Sequence, residues 1–92
     1  MNFELIHKST NTRGNRVYLH YLVKIGTKGI TVVVPIAAWK FPLHFSKELG
    51  KVRLQFLQRL SLSEPQLEAI MKEFELHYSN DCADYYTKQN RK

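Results

Sequence analysis

Every second residue from Val17 to Ile25 is apolar, with Val17, Leu19, Tyr21, Val23 and Ile25 alternating against Arg16, Tyr18, His20, Leu22 and Lys24. A period of two puts the first set on one side of an extended chain and the second set on the other. A helix would scatter both sets around its axis, so this stretch makes a β-sheet the frame for everything else. Turn formers bracket it. Ser9–Asn15 (STNTRGN) reads as a turn, with Gly14 free to take positive φ. Gly26-Thr27-Lys28-Gly29 reads as the closing loop of a hairpin. Phe3–Lys8 alternates weakly as a preceding strand, and Ile30–Ala38, rich in β-branched residues, as a following one. Pro35 lacks an N–H, so the chain near it lies at a sheet edge or has left the ladder. The expected sheet, residues 3–38, is a three-stranded antiparallel meander.

The period changes after the aromatic-rich connector Trp39–Phe45 (WKFPLHF), where Pro42 holds Phe41 away from helical geometry. Phe45, Leu49, Val52, Phe56 and Leu60 share one sector of a helical wheel, opposite Lys47, Lys51, Gln55 and Gln58. That predicts an amphipathic helix over 46–60, capped by Ser46, with a cationic wet face. Gly50 weakens it by about 1 kcal/mol relative to alanine. Leu54 lies in the middle of the cationic face, where packing on the sheet does not account for it. Ser61–Ser63 ends this helix, and Ser63 with Gln66 forms a capping box for a second. Leu67, Ile70, Met71, Phe74 and Tyr78 are its apolar stripe, Glu64, Glu68 and Glu75 its acidic flank, and Glu68 is spaced to pair with Lys72. The second helix is expected over 64–79, ending at Asn80-Asp81, with a short helix or frayed tail over 81–92. The fold class is therefore α+β, a sheet packed by two amphipathic helices in one domain.

Charge is distributed as unevenly as hydrophobicity. Residues 1–59 hold ten Lys/Arg against Glu4 and Glu48, while residues 60–87 hold Lys72 against six acids. Three more cations follow in residues 88–92. Such a split presents one surface that attracts a polyanion and another that repels it. The chain's one cysteine, Cys82, closes no intrachain disulfide, which points to a reducing compartment. MNFELIHK lacks the basic and long apolar regions of a signal peptide, and no run approaches the roughly 18 apolar residues of a membrane span. A cytoplasmic protein is the expectation.

The residues supply no reaction. His7, His20, His44 and His77 stand far apart, with no cysteine pair to complete a zinc set. Cys82 beside Asp81 and Asp84 sits in a negative field that raises its pKa and blunts it as a nucleophile. Gly14, Gly26, Gly29 and Gly50 fit neither nucleotide-binding fingerprint. The expectation is a binder without catalytic residues, metal, cofactor or small-molecule substrate.

Two kinds of binding fit the pattern. Arg13, Arg16, Lys24 and Lys28 lie near hairpin ends, with Tyr18 and His20 on the same strand face, as for phosphate contact and base stacking. The plainer account is that Arg, Tyr and Lys cover a half-exposed strand while staying wet. A helix–turn–helix reading fails, because the second helix would carry its acidic flank into the major groove. A protein partner would instead use Trp39 and Phe41, Leu54, and the cations Lys47, Lys51 and Arg59. Here the plainer account is a connector folded back as a lid on the core. The candidate partner-binding residues are thus Arg13, Arg16, Lys24, Lys28, Trp39, Lys47, Lys51, Leu54 and Arg59.

From MNFELIHKST through YYTKQNRK, the chain resembles in length and whole-chain character the small phage-encoded anti-CRISPR proteins that inhibit the type I-F surveillance complex. The resemblance rests on no discrete motif and transfers no residue. It implies a non-enzymatic inhibitor of host CRISPR-Cas immunity whose partners are Cas subunits near the guide RNA. Such an inhibitor keeps target DNA from pairing with the guide. The alternative from charge alone is a small phage DNA- or RNA-binding accessory or regulatory protein.

Overall fold

The computed structural model describes residues 3–89. Three strands, β1 (Glu4–Arg13), β2 (Arg16–Ile25) and β3 (Lys28–Pro35), form an antiparallel sheet in the order β1-β2-β3. A short 3-10 turn (Ala37–Lys40) leads into helices α1 (Pro42–Leu60) and α2 (Glu64–Gln89). The α+β meander followed by two helices is the architecture expected from the sequence.

The alternation in β2 sets the layers. Leu19, Tyr21 and Val23 are buried and continue across the sheet into Val32 and Val34 of β3. Val52, Phe56 and Leu60 from α1, with Leu67, Ile70, Phe74, Tyr78 and Cys82 from α2, cover that face. Phe74 is the hub: its ring meets Tyr21 at 5.3 Å, Tyr78 at 5.8 Å and Phe56 at 6.0 Å, so one side chain touches the sheet and both helices. Tyr21 donates its phenol proton to Asp81 at 2.6 Å, and Tyr78 donates to the carbonyl of Pro35. Helix α2 is thereby tied to fixed points on the sheet. No helix of the described residues is long and apolar enough to cross a membrane.

Four boundaries differ from expectation. β1 runs through Ser9–Arg13 rather than turning there. The polar STNTR segment pairs with Arg16–His20, and a bulge between His7 and Ser9 absorbs one residue. Only Gly14-Asn15 turn, just as only Gly26-Thr27 turn at the next hairpin, and both glycines take φ near +60°. β3 is displaced toward the N-terminus, spanning Lys28–Pro35 instead of Ile30–Ala38, because that two-residue turn lets Lys28 pair with Ile25. α1 starts four residues before Ser46. Phe41 is its extended N-cap, and Pro42 occupies the first turn, where a missing N–H costs nothing.

The fourth correction is to α2, which does not break at Asn80-Asp81 but continues to Gln89. Its apolar stripe passes through the polar pair, since Tyr78, Cys82, Tyr85 and Tyr86 keep the three-to-four spacing, and Asp81 is held by Tyr21. The capping box at its start forms as expected: the Ser63 N–H donates to Gln66 Oε1 and the Gln66 N–H to Ser63 Oγ. Glu68 pairs with Arg53 of α1 at 3.5 Å, not with Lys72. Of the expected tail, residues 90–92 lie outside the described residues.

Cys82 is fully buried, and burial first, then Asp81, pushes its thiol up to about 12. Burial likewise raises the phenols of Tyr21 and Tyr78. The negative field expected from the sequence is thus the smaller cause at Cys82, and burial the larger. In the unfolded chain the thiol ionises near pH 9 and the phenols near 10. The folded chain keeps these protons at higher pH. Their contribution is therefore complete below about pH 9 and is lost as pH climbs toward the folded values. Thermal midpoints are expected to fall steadily from about pH 9 upward. A midpoint that rises over that alkaline range contradicts the burial of these groups.

Candidate functional site

The chain direction decides which cations can act together. β2 ends at the Gly26-Thr27 turn, β3 returns to the β1–β2 turn end, and α1 starts there and runs back. The ends are held by Ile36 N–H donating to the Val17 carbonyl and by Lys28 Nζ donating to Ser61 Oγ just past α1. Arg13 and Arg16, paired across the first hairpin, therefore lie at one end of the sheet. Lys24 and Lys28 lie at the other, and Arg59, two residues before Ser61, joins them. The two groups are separated by the length of β2, roughly 30 Å at strand rise. The nine residues singled out from the sequence do not make one patch.

What the fold does bring together is Arg16 with Lys47 and Lys51. All three line an open groove of about 590 Å³ between the end of the sheet and the first half of α1. Tyr18, Val33 and Pro35 form its sheet wall, and Phe41 and His44 its far rim. Phe41 is 55% exposed and tilts against His44 at 5.4 Å, an aromatic pair beside the cations. Glu48 is the groove's one carboxylate, and it is already paired with Lys51 at 3.2 Å. Arg16 and Lys47 have no ion-pair partner among the described residues. A concave site with surplus positive charge and apolar walls raises the local potential more than the same charges on a convex surface. Chemically it can hold phosphates or carboxylates and stack a planar group on Phe41 or Tyr18.

Trp39 follows the plainer of its two accounts, folded back against the core. Its Nε1 donates to Ser79 Oγ at 3.0 Å, and its ring stacks on Tyr86 at 5.9 Å, with the Lys40 ammonium 4.1 Å from the Tyr86 ring. The indole anchors the 3-10 turn to the last turns of α2. The exposed aromatic of the connector is Phe41, and His44 accompanies it. The WKFPLHF run carried the signal for an aromatic rim, but helical phase from Pro42 was needed to choose which ring faces outward. Leu54 is exposed on α1, outside the groove, as its position on the wheel required. The acidic helix neutralises one cation of the N-terminal part among the described residues: Arg53 lies 3.7 Å from Glu64 and 3.5 Å from Glu68.

Among the described residues, no three His, Cys, Asp or Glu side chains gather as a metal site. Comparison with protein-family models, curated proteins and solved structures finds no match.

Proposed function

We propose that the protein is a phage inhibitor of host CRISPR-Cas immunity, acting in the bacterial cytoplasm without catalysing a reaction. It binds the type I-F surveillance ribonucleoprotein and blocks hybridisation of target DNA to the guide. The observation that carries this reading is the groove, where Arg16, Lys47 and Lys51 converge beside exposed Phe41. A channel built for nucleic acid offers phosphates together with protein surface, and a site combining surplus cations with an aromatic rim suits both. The whole-chain resemblance and the split charge support the same target. The opposing acidic flank of α2 repels free polyanions, which favours an oriented fit over coating of bare nucleic acid.

Mixing the purified protein with the assembled type I-F complex before adding target duplex tests the proposal. Target binding is expected to fall as the protein is titrated in. Unchanged target binding at saturating protein overturns the reading.

A second reading, direct binding of DNA or RNA, is favoured by the sheet face turned away from the helices. There Tyr18 and His20 lie beside Arg13 and Arg16 in register. Salt separates the two. Binding to bare nucleic acid through phosphates weakens steeply between about 50 and 200 mM salt. An interface with apolar contacts to protein shows a shallower dependence.

A further inference from the structure

The sheet has two edge strands, and only one of them is protected against pairing. β1 carries a bulge between His7 and Ser9 with Lys8 inside it, and the edge beyond it is polar. Bulges and lysines are the usual means by which an edge avoids adding a foreign strand. β3, at the other edge, has neither a bulge nor a charge between Lys28 and its last residue, Pro35. Its Ile30–Val34 run consists of β-branched residues, which favour strand pairing, and Val33 is 46% exposed.

The register identifies the backbone groups that are free. Hydrogen-bonding direction alternates along an antiparallel strand. The Ile36 N–H donates to the Val17 carbonyl of β2, so Lys28, Ile30, Val32 and Val34 face β2 as well. Gly29, Thr31 and Val33 therefore turn their N–H and C=O groups outward. Among the described residues no backbone hydrogen bond joins them to another element. The groove lies over this edge. Arg16, Tyr18, Val33 and Pro35 line it from the sheet face turned away from the helices, and Lys47 and Lys51 line it from α1, which covers the opposite face. The free edge of β3 separates the two sides. Arg16 on one side and Lys47 on the other have no ion-pair partner among the described residues.

We propose that the groove takes up an extended acidic segment of a partner protein, which adds to β3 as a fourth strand. Its backbone pairs with Thr31 and Val33, supplying the alternating donors and acceptors that this edge lacks. Neighbouring side chains of a strand fall on opposite faces, so one points toward Arg16 and Tyr18 and the next toward Lys47. Two adjacent carboxylates thus meet the two unpaired cations. A nucleic-acid strand offers phosphates but no such backbone. A second copy fits poorly, because Ile30–Val34 holds no acid and antiparallel pairing of two β3 edges sets Lys28 of each toward the other's cationic groove. The inference rests on the groove of the inhibitor reading and narrows its occupant to a protein strand. Its test uses no surveillance complex, so either can fail alone.

The probe is a labelled peptide of threonine and valine, about eight residues long, with two adjacent glutamates at its centre. Fluorescence anisotropy is expected to show saturable binding to the full chain, and none for the peptide with lysines in place of the glutamates. Arg16→Glu and Lys47→Glu are each expected to weaken binding by at least about tenfold, and Lys72→Glu on α2 by less than about twofold. Thr31→Pro removes an outward N–H without touching the ladder to β2 and is expected to abolish binding. In the unaltered chain, amide hydrogen exchange reads the same contact: Thr31 and Val33 are expected to slow at least about tenfold when the peptide saturates the protein. Absence of binding, equal binding of both peptides, or binding that leaves the Thr31 and Val33 amides unprotected overturns the proposal. So does a homodimer paired through β3, or an oligouridylate that occupies the groove where the peptide does not.

Discussion

Phe74→Ala is expected to destabilise the protein by about 3–5 kcal/mol, the usual loss when a buried phenylalanine is cut to alanine. The ring is fully buried and holds edge or tilted contacts with Tyr21, Phe56 and Tyr78, one from each packed element. Truncation opens a cavity where sheet, α1 and α2 meet, and none of them can close it without leaving the other two. A domain of this length has a total stability of roughly 5–14 kcal/mol. The variant therefore gives up a large share of that margin, and its thermal midpoint should drop by at least about 12 °C. Leu54→Ala on the same scale should stay within about 0.5 kcal/mol, since that side chain is exposed. Chemical denaturation of the three proteins measures both values. A loss below about 1.5 kcal/mol for Phe74→Ala would mean that the three-way junction is not the centre of the core.

The parts of this architecture that were legible in the sequence are those where a local pattern and the global packing agree. β2 was readable to the residue because its alternation and the turns beside it specify the same strand. The core faces of both helices were readable for the same reason. Leu67, Ile70 and Phe74 have no other side to bury. The misplaced boundaries lie where local propensity and tertiary contact disagree. STNTR has the composition of a loop, yet its backbone pairs with a β2 strand that is already fixed. Asn80-Asp81 looks like a helix end, but the Tyr78–Cys82–Tyr85 spacing continues through it and Tyr21 satisfies Asp81.

The candidate site was legible only in part, and the reason is geometric. Sequence gives the sign of each charge but not the end of the sheet on which it lands. Arg13, Arg16, Lys24 and Lys28 all neighbour turns, yet the meander sends the first two to one end and the last two to the other. Lys47 and Lys51 join the first pair because α1 starts where β3 finishes. For Trp39 both an anchor and a lid stayed open, because nothing local shows that Ser79 and Tyr86, forty and more residues later, will take its indole.

Reversing Lys47 and Lys51 to glutamate is expected to lower affinity for the surveillance complex on the order of 100-fold while leaving the fold intact. Both side chains are exposed, and the double reversal breaks the Lys51–Glu48 surface pair, of a kind worth about 0–1 kcal/mol. The thermal midpoint should therefore move by only a few degrees. At the groove, by contrast, the change removes two of three cations and leaves Glu48 unpaired among new carboxylates, so the local potential changes sign. The same reversal at Lys24 and Lys28 alters net charge equally but at the far end of the sheet, and should cost much less. The pair of variants thus separates a local site from a general attraction between a basic protein and a polyanion. Equal losses would point to the general attraction. A loss confined to Lys24→Glu/Lys28→Glu would move the interface to the Gly26-Thr27 turn and Arg59.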